Sequence, residues 1–147
     1  MARIPLERQD LPDDVRRLFE TIWQTVDPAD AVGAVECSPP LDVLESEAGV
    51  DVLVDLPGIS QESLQVVFAR NTLLIAGRKR PPACDHRHEA AFHVAERTFG
   101  RFARIVSLEG SFDADRAVAT LSAGELRISL PRIEDRRGRE IRIAVRV

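Results

Sequence analysis

Between Ala117 and Pro131 the chain reads AVATLSAGELRISLP, and apolar residues recur with a period of two on both sides of a glycine. Ala117, Ala119 and Leu121 share one face of the first run, and Leu126, Ile128 and Leu130 share one face of the second. A helix needs a period near 3.6, so the pattern predicts two strands of a half-buried sheet. Gly124 supplies the positive φ that a tight reversal requires, which makes the pair a hairpin. The rest of the chain must bring the other strands.

It does so on the N-terminal side. LDVLESE (41–47) reads as a short strand. VDVLVDL (50–56) places Val50, Val52, Val54 and Leu56 on one face, with Asp51 and Asp55 on the other, and Pro57-Gly58 ends it in a turn. ESLQVVF (62–68) sends Leu64, Val66 and Phe68 inward and Gln65 outward. Val67 then falls on the outer face, where a charge is the usual protection. TLLIAG (72–77) puts Leu73 and Ile75 on the core side before Gly77. A polar loop (78–90) leads to FHVAER (92–97), a short alternating run set apart by that loop and by Gly100. RFARIVSL (101–108) has Phe102, Arg104, Val106 and Leu108 in core phase, so Arg104 requires a carboxylate or carbonyl partner. Seven or eight short strands with no helix between them predict an all-β, antiparallel β-sandwich.

Both ends differ from this middle. In LPDDVRRLFETIWQTVD (11–27), Val15, Leu18, Phe19, Ile22, Trp23 and Val26 fall at helical spacing on one face. Pro12 sits near the first turn, and Asp13 and Asp14 suit the positive end of the macrodipole. One amphipathic helix cannot bury its own apolar face, so it docks on its own domain, on another subunit or on a foreign surface. Residues 27–40 read as a linker. After Pro131, IEDRRGR is a charged, unpatterned tether. It carries EIRIAVRV, in which Ile141, Ile143, Val145 and Val147 alternate with Arg142, Ala144 and Arg146. That end is either a last strand of its own sheet or a strand added to the sheet edge of another subunit, and the tether favours the second. The expected division is an N-terminal arm and linker (1–39), a sandwich domain (40–132) and a C-terminal extension (133–147).

Composition narrows the function classes. With 147 residues, 44% hydrophobic and 30% charged, the chain suits one globular domain. A net charge of −4 argues against a nucleic-acid or membrane-surface partner. No apolar run approaches the roughly 20 residues of a membrane span. MARIPLERQD lacks the pattern of a secretory signal, and two cysteines, Cys37 and Cys84, make no disulfide framework. The expectation is a cytoplasmic protein. Cys84, His86, His88 and His93 are the one metal-like group, but C-x-H-x-H fits no structural zinc spacing, so solvated loop residues and no metal are expected. Catalytic and phosphate-binding motifs are missing, and the pairs Asp13-Asp14 and Glu134-Asp135 lie in charged surface runs. Arg136, Arg137 and Arg139 are offset by Glu134, Asp135 and Glu140. The chain is expected to be no enzyme and to carry no cofactor.

Taken in order, these segments resemble the small heat-shock protein family, built around the α-crystallin domain, over about residues 40–132. VDLPG (54–58) looks like its strand-ending motif, and LLIAGRK (73–79) like its next strand and glycine turn. FHVAERTFGRFAR (92–104) resembles the segment in which a short strand and an E-R pair precede a glycine and an F-x-R strand. DADRAVATLSAGELRISLP (113–131) resembles the family hairpin, with Ala119, Gly124 and Leu126 at its fixed positions, and Ile141-Arg142-Ile143 resembles the C-terminal I-x-I anchor. Ala123 and Glu125 replace the usual asparagine and valine beside the glycine, Glu109 a proline, and Ser107 a basic residue.

The resemblance implies an immunoglobulin-like sandwich that dimerises by exchanging the short strand, here Phe92, His93, Val94, Ala95, Glu96 and Arg97, with Arg104 among its contacts. It also implies that Ile141 and Ile143 of one dimer dock in a groove of another, giving larger homo-oligomers. Strand phase places that groove at Leu64, Val66, Ala119 and Leu121. The implied function is an ATP-independent holdase that binds partly unfolded client proteins, with Val15, Leu18, Phe19, Ile22 and Trp23 as the client-binding arm. A reading from another class is a CS-domain-like interaction module, which has the sandwich but neither the loop strand nor the I-x-I tail.

Overall fold

Alternating valines at 50, 52 and 54 are buried one by one along the second strand, while the residues between them face outward. That period of two recurs through a computed structural model that describes residues 11–26, 37–81 and 90–133, with only the backbone of Thr25 and Val26. Its strands are β1 (Leu41–Glu45), β2 (Gly49–Asp55), β3 (Leu64–Ala69), β4 (Thr72–Lys79), β5 (Gly100–Ser107), β6 (Val118–Ser122) and β7 (Glu125–Pro131). All pairings are antiparallel, in a four-stranded sheet of order β1-β2-β7-β6 and a three-stranded sheet of order β3-β4-β5. The inner faces meet in a core of Val52, Val54, Leu56, Leu73, Ile75, Phe102, Leu126, Ile128 and Leu130. This is the sandwich that the alternation predicts.

Two hairpins set the register with two-residue turns. Ala69 pairs with Thr72 across Arg70 and Asn71, whose φ values are 47° and 57°. Ser122 pairs with Glu125 across Ala123 and Gly124, at 51° and 77°. Positive φ at both central positions is the type I′ geometry that matches strand twist. Gly124 was the expected source of positive φ in the second turn; Ala123 shares it, although its Cβ makes that region unfavourable.

Gly77 needs a different account from the sequence reading. The resemblance makes it a turn glycine, yet β4 continues through it to Lys79, with Gly77 opposite Leu64 and Phe102. A Cβ there would lie 2.7 Å from the Phe102 ring and 2.7 Å from the Ser63 carbonyl oxygen. The missing side chain is what lets the buried Phe102 ring cross the strand.

The helix α1 (Asp13–Val26) settles which of its three docking options the chain takes. It packs on its own domain, across the outer face of the three-stranded sheet. Leu11, Val15, Phe19 and Ile22 are buried there against Leu74, Ala76, Ala103 and Ile105, with Leu18, Trp23 and Val67 at the margin. So Val67 requires no protecting charge, because the helix covers it. Both faces of β4 and β5 are buried, one in the sandwich and one beneath α1, which explains the apolar run LLIA and the run FARIV, broken only by Arg104.

Candidate assembly surfaces

Strand edges and exposed apolar side chains are where this chain is incomplete. Residues 92–97 join no ladder among the described residues, and all six are exposed. Phe92 is 80% and Val94 72% exposed, which is far from the ordinary state of such side chains. Glu96 and Arg97 follow in the same stretch, and the Arg97 guanidinium lies 5.0 Å from the Phe99 ring. His93 is also exposed. On the four-stranded sheet, β1 pairs only with β2 among the described residues, which leaves its other edge without a partner there, and it carries exposed Val43 and Leu44. An open edge and an unpaired apolar segment on one chain are complementary liabilities.

Arg104 has the carbonyl partner that its core phase demands. Its Nη1 donates to the Pro39 carbonyl oxygen at 2.8 Å, which ties β5 to the chain just before β1. Cys37 packs partly against the same core, with the Thr98 hydroxyl 3.9 Å from its sulfur.

Among the described residues β3 and β6 are also edge strands, one from each sheet, and their side chains face a common groove. Between them runs a groove of about 290 Å³. Val66 and Phe68 form one wall, Ala117, Val118 and Ala119 the other, and Leu73, Ile128 and Leu130 the floor. Of the four groove residues named by strand phase, Val66 and Ala119 line it. Leu64 and Leu121 do not; they pack against the central core instead. Phase gives the face a residue lies on, but not how far along the strand the groove extends. Phe68, Val118 and Ala114 also line the groove, and strand phase does not single them out.

The arm residues sit in a third place. Val15, Phe19 and Ile22 are buried, and Leu18 and Trp23 partly buried, all against the chain's own sheet. Phe19 and Trp23 stack with ring centroids 6.1 Å apart, and the buried Arg101 guanidinium lies 4.4 Å from the Trp23 ring. Asp14 and Arg70 form an ion pair at 2.6 Å between the first helical turn and the β3–β4 hairpin. Cys84, His86 and His88 lie outside the described residues, as do Ile141 and Ile143. Among the described residues no group of His, Cys, Asp and Glu is arranged to hold a metal, and no helix is long and apolar enough to cross a membrane.

An open loop segment, an open edge strand and a groove between unpaired edges of two sheets form one pattern. A family model described as Hsp20/alpha crystallin matches residues 42–146. The chain belongs to this family. Its members are small heat shock chaperones, not enzymes. Heat shock protein 16 of Schizosaccharomyces pombe is 36% identical over 99 residues, covering 67% of this chain and 69% of that one. Small heat shock protein C4 of Rickettsia felis is 31% identical over 107 residues, covering 73% and 64%. The chain thus aligns with about two thirds of the length of these relatives. Among solved structures, heat shock protein 16.0 from S. pombe superposes with a TM-score of 0.61 at 33% identity, over 76% of this chain and all of that one. A small heat-shock protein from Xylella fastidiosa gives 0.63 at 28%, with the same coverage. The α-crystallin sandwich accounts for every strand described above, and nothing in these likenesses favours a CS-domain-like module.

Proposed function

We propose that this Hsp20-family protein works as an ATP-independent holdase, covering apolar segments of partly unfolded proteins and suppressing their aggregation. The observation that carries the reading is the unfinished surface of the single chain. Phe92 and Val94 stand exposed on a segment without a ladder, and β1 offers an open edge with Val43 and Leu44. In the proposed dimer, residues 92–97 of each copy add to the β1 edge of the other. Main-chain hydrogen bonds supply the affinity and alternate side chains the register. Arg104, whose bond to the Pro39 carbonyl ties β5 to the chain before β1, would contact the added segment.

Larger assembly follows from the C-terminal extension. Ile141 and Ile143, two residues apart in an extended strand, would set their side chains on one face about 7 Å apart. The groove of about 290 Å³ between β3 and β6, lined by apolar side chains, would receive such a pair from a neighbouring dimer. Residues 1–39 then serve as arm and linker, 40–132 as the sandwich, and 133–147 as the anchor. Neither nucleotide nor metal takes part, and the site of action is the cytosol. A net charge of −4 keeps a loaded complex dispersed.

The test is the turbidity of heated citrate synthase without nucleotide. Equimolar protein is expected to suppress most of the light scattering. Unchanged scattering at that ratio would overturn the holdase reading.

A further inference from the structure

A row of side chains in contact runs from the groove to the start of the C-terminal extension. Phe68 is part of the β3 wall of the groove. Its ring meets the Phe112 ring edge to face, with centroids 6.2 Å apart and planes at 87°. The Arg132 guanidinium lies 5.4 Å from that same Phe112 ring and pairs with Glu45, the last residue of β1. We propose that this row couples the groove to the root of the tail. A subunit whose groove is filled by Ile141 and Ile143 of a second copy then holds its own tail in a fixed direction. The inference rests on the proposed docking of the tail and deepens it, because docking becomes cooperative.

The root of the tail is held by backbone as well as by side chains. The Arg132 amide donates to the Ala48 carbonyl at 2.9 Å, and the Ile133 amide donates to the Ser111 carbonyl at 2.8 Å. Phe112 and Arg132 form a bridge, and the Asp113 amide donates to the Pro131 carbonyl at 2.8 Å. The chain therefore leaves Ile133 in a direction set by the segment around Phe112. That segment is tied in turn to the hairpin that ends β3, since Asn71 Nδ2 donates to the Gly110 carbonyl at 2.7 Å. Gly110 stands against both members of the row. A Cβ there would lie 2.7 Å from Arg132 Nη1 and 3.7 Å from Phe112 Cζ, so the absent side chain leaves the space that the guanidinium takes.

Contiguity alone transmits nothing; coupling needs an element with two arrangements. Phe68 is that element. It is half-buried, with the buried Phe112 against it and the groove of about 290 Å³ beside it. With the groove empty its ring has room to turn from Phe112; with two isoleucines seated there that room is gone, because packed apolar groups leave no spare volume. Filling thus favours the edge-to-face contact, steadies Phe112, and steadies the seat of Arg132. The Glu45 side chain is 61% exposed, so its ion pair is a weak hold by itself, and the ring is what gives the guanidinium a fixed place. Head-to-tail contacts close into a finite assembly only when the rotation between neighbours is fixed. A tail that is aimed once its own subunit has received one favours completed assemblies over partial ones.

The experiment uses the full-length Ile141→Ala/Ile143→Ala protein, whose own tails no longer compete for the groove, and a synthetic peptide of residues 138–147 as the probe. Chemical shifts of Val66 and Ala119, which line the groove, report binding. Hydrogen exchange of the Ile133 amide, bonded to Ser111 and outside the groove lining, reports the root of the tail. Saturating peptide is expected to slow that exchange about five-fold or more, the low end of ordinary coupling between two sites. With Phe112→Leu or Arg132→Met added, the peptide is expected still to shift Val66 and Ala119 while exchange at Ile133 no longer responds to it. The two variants break the row at different points, so either suffices where the other fails to fold, and the first arm needs neither. Shifts at Val66 and Ala119 with unchanged exchange at Ile133 would overturn the coupling and leave tail docking intact. Slowing that survives in both variants would do the same. A peptide that shifts neither Val66 nor Ala119 would overturn tail docking, and the coupling with it.

Discussion

Gly77→Ala probes how tightly β4 is packed between its neighbours β3 and β5, because one methyl group meets an atom from each side at once. The added Cβ would sit 2.7 Å from Phe102 Cζ and 2.7 Å from the Ser63 carbonyl oxygen, where carbon contacts are optimal at about 3.5–4.0 Å. Phe102 is fully buried in the sandwich, and close-packed interiors have no spare volume for its ring to swing into. The Ser63 oxygen belongs to the backbone of the turn Gln61–Ser63 and moves only if β3 moves with it. Overpacking of this kind costs about 1–3 kcal/mol, and a double clash belongs in the upper half of that range. For a sandwich of under a hundred residues, a loss of about 2 kcal/mol lowers the thermal midpoint by about 8–16 °C. Calorimetry or circular dichroism at fixed protein concentration measures it. Phe102→Leu in the Gly77→Ala background relieves one of the two contacts. The double mutant should therefore be more stable than the sum of the singles by about 1 kcal/mol, the coupling expected of residues that touch. A midpoint for Gly77→Ala within about 2 °C of wild type, or strict additivity in the double mutant, would refute the close-approach argument.

Ala123→Gly is expected to stabilise the protein. An L-residue at φ 51° is disfavoured by about 1–2 kcal/mol, and the extra freedom of glycine in the unfolded chain offsets part of the gain, leaving a rise of a few degrees in the melting midpoint. A fall in midpoint would show that Ala123 is not strained. Replacing the exposed Phe92 and Val94 together by serine should leave the melting of the sandwich within about 0.5 kcal/mol of wild type while abolishing dimers in size-exclusion chromatography with light scattering. Dimers that persist would remove residues 92–97 from the interface. The Ile141→Ala/Ile143→Ala protein should retain its dimers and lose every larger assembly; large particles in that variant would remove the tail from the anchor role.

Much of the fold was legible because each strand obeys one rule. Val50, Val52 and Val54, and Leu126, Ile128 and Leu130, alternate cleanly since their sheet faces the core on one side only. The three-stranded sheet was harder. LLIA and FARIV are apolar at every step or nearly so, and a period of two assigns only half of such a run to a core. The other half, Leu74, Ala76, Ala103 and Ile105, gained its meaning from a helix some fifty residues and more away in sequence. Arg104 was read correctly as needing a partner, because the cost of an unpaired buried charge is local physics. The identity of that partner, the Pro39 carbonyl, depends on tertiary approach. Gly77 shows the opposite failure. A glycine in sequence looks the same whether it serves a turn or a close approach, and only the position of Phe102 separates the two. Strand phase places Val66 and Ala119 on the inner faces of their strands, but that these two edges adjoin around a groove is a property of the sheet order.

The account as a whole stands on the claim that a lone subunit is unfinished, its loop segment and its terminal isoleucines being completed by other copies. Native mass spectrometry of the full-length protein at micromolar concentration measures this without perturbation. The predicted spectrum contains even multiples of the 16.3 kDa chain, extending well beyond the dimer. A single species at the mass of one chain would contradict it.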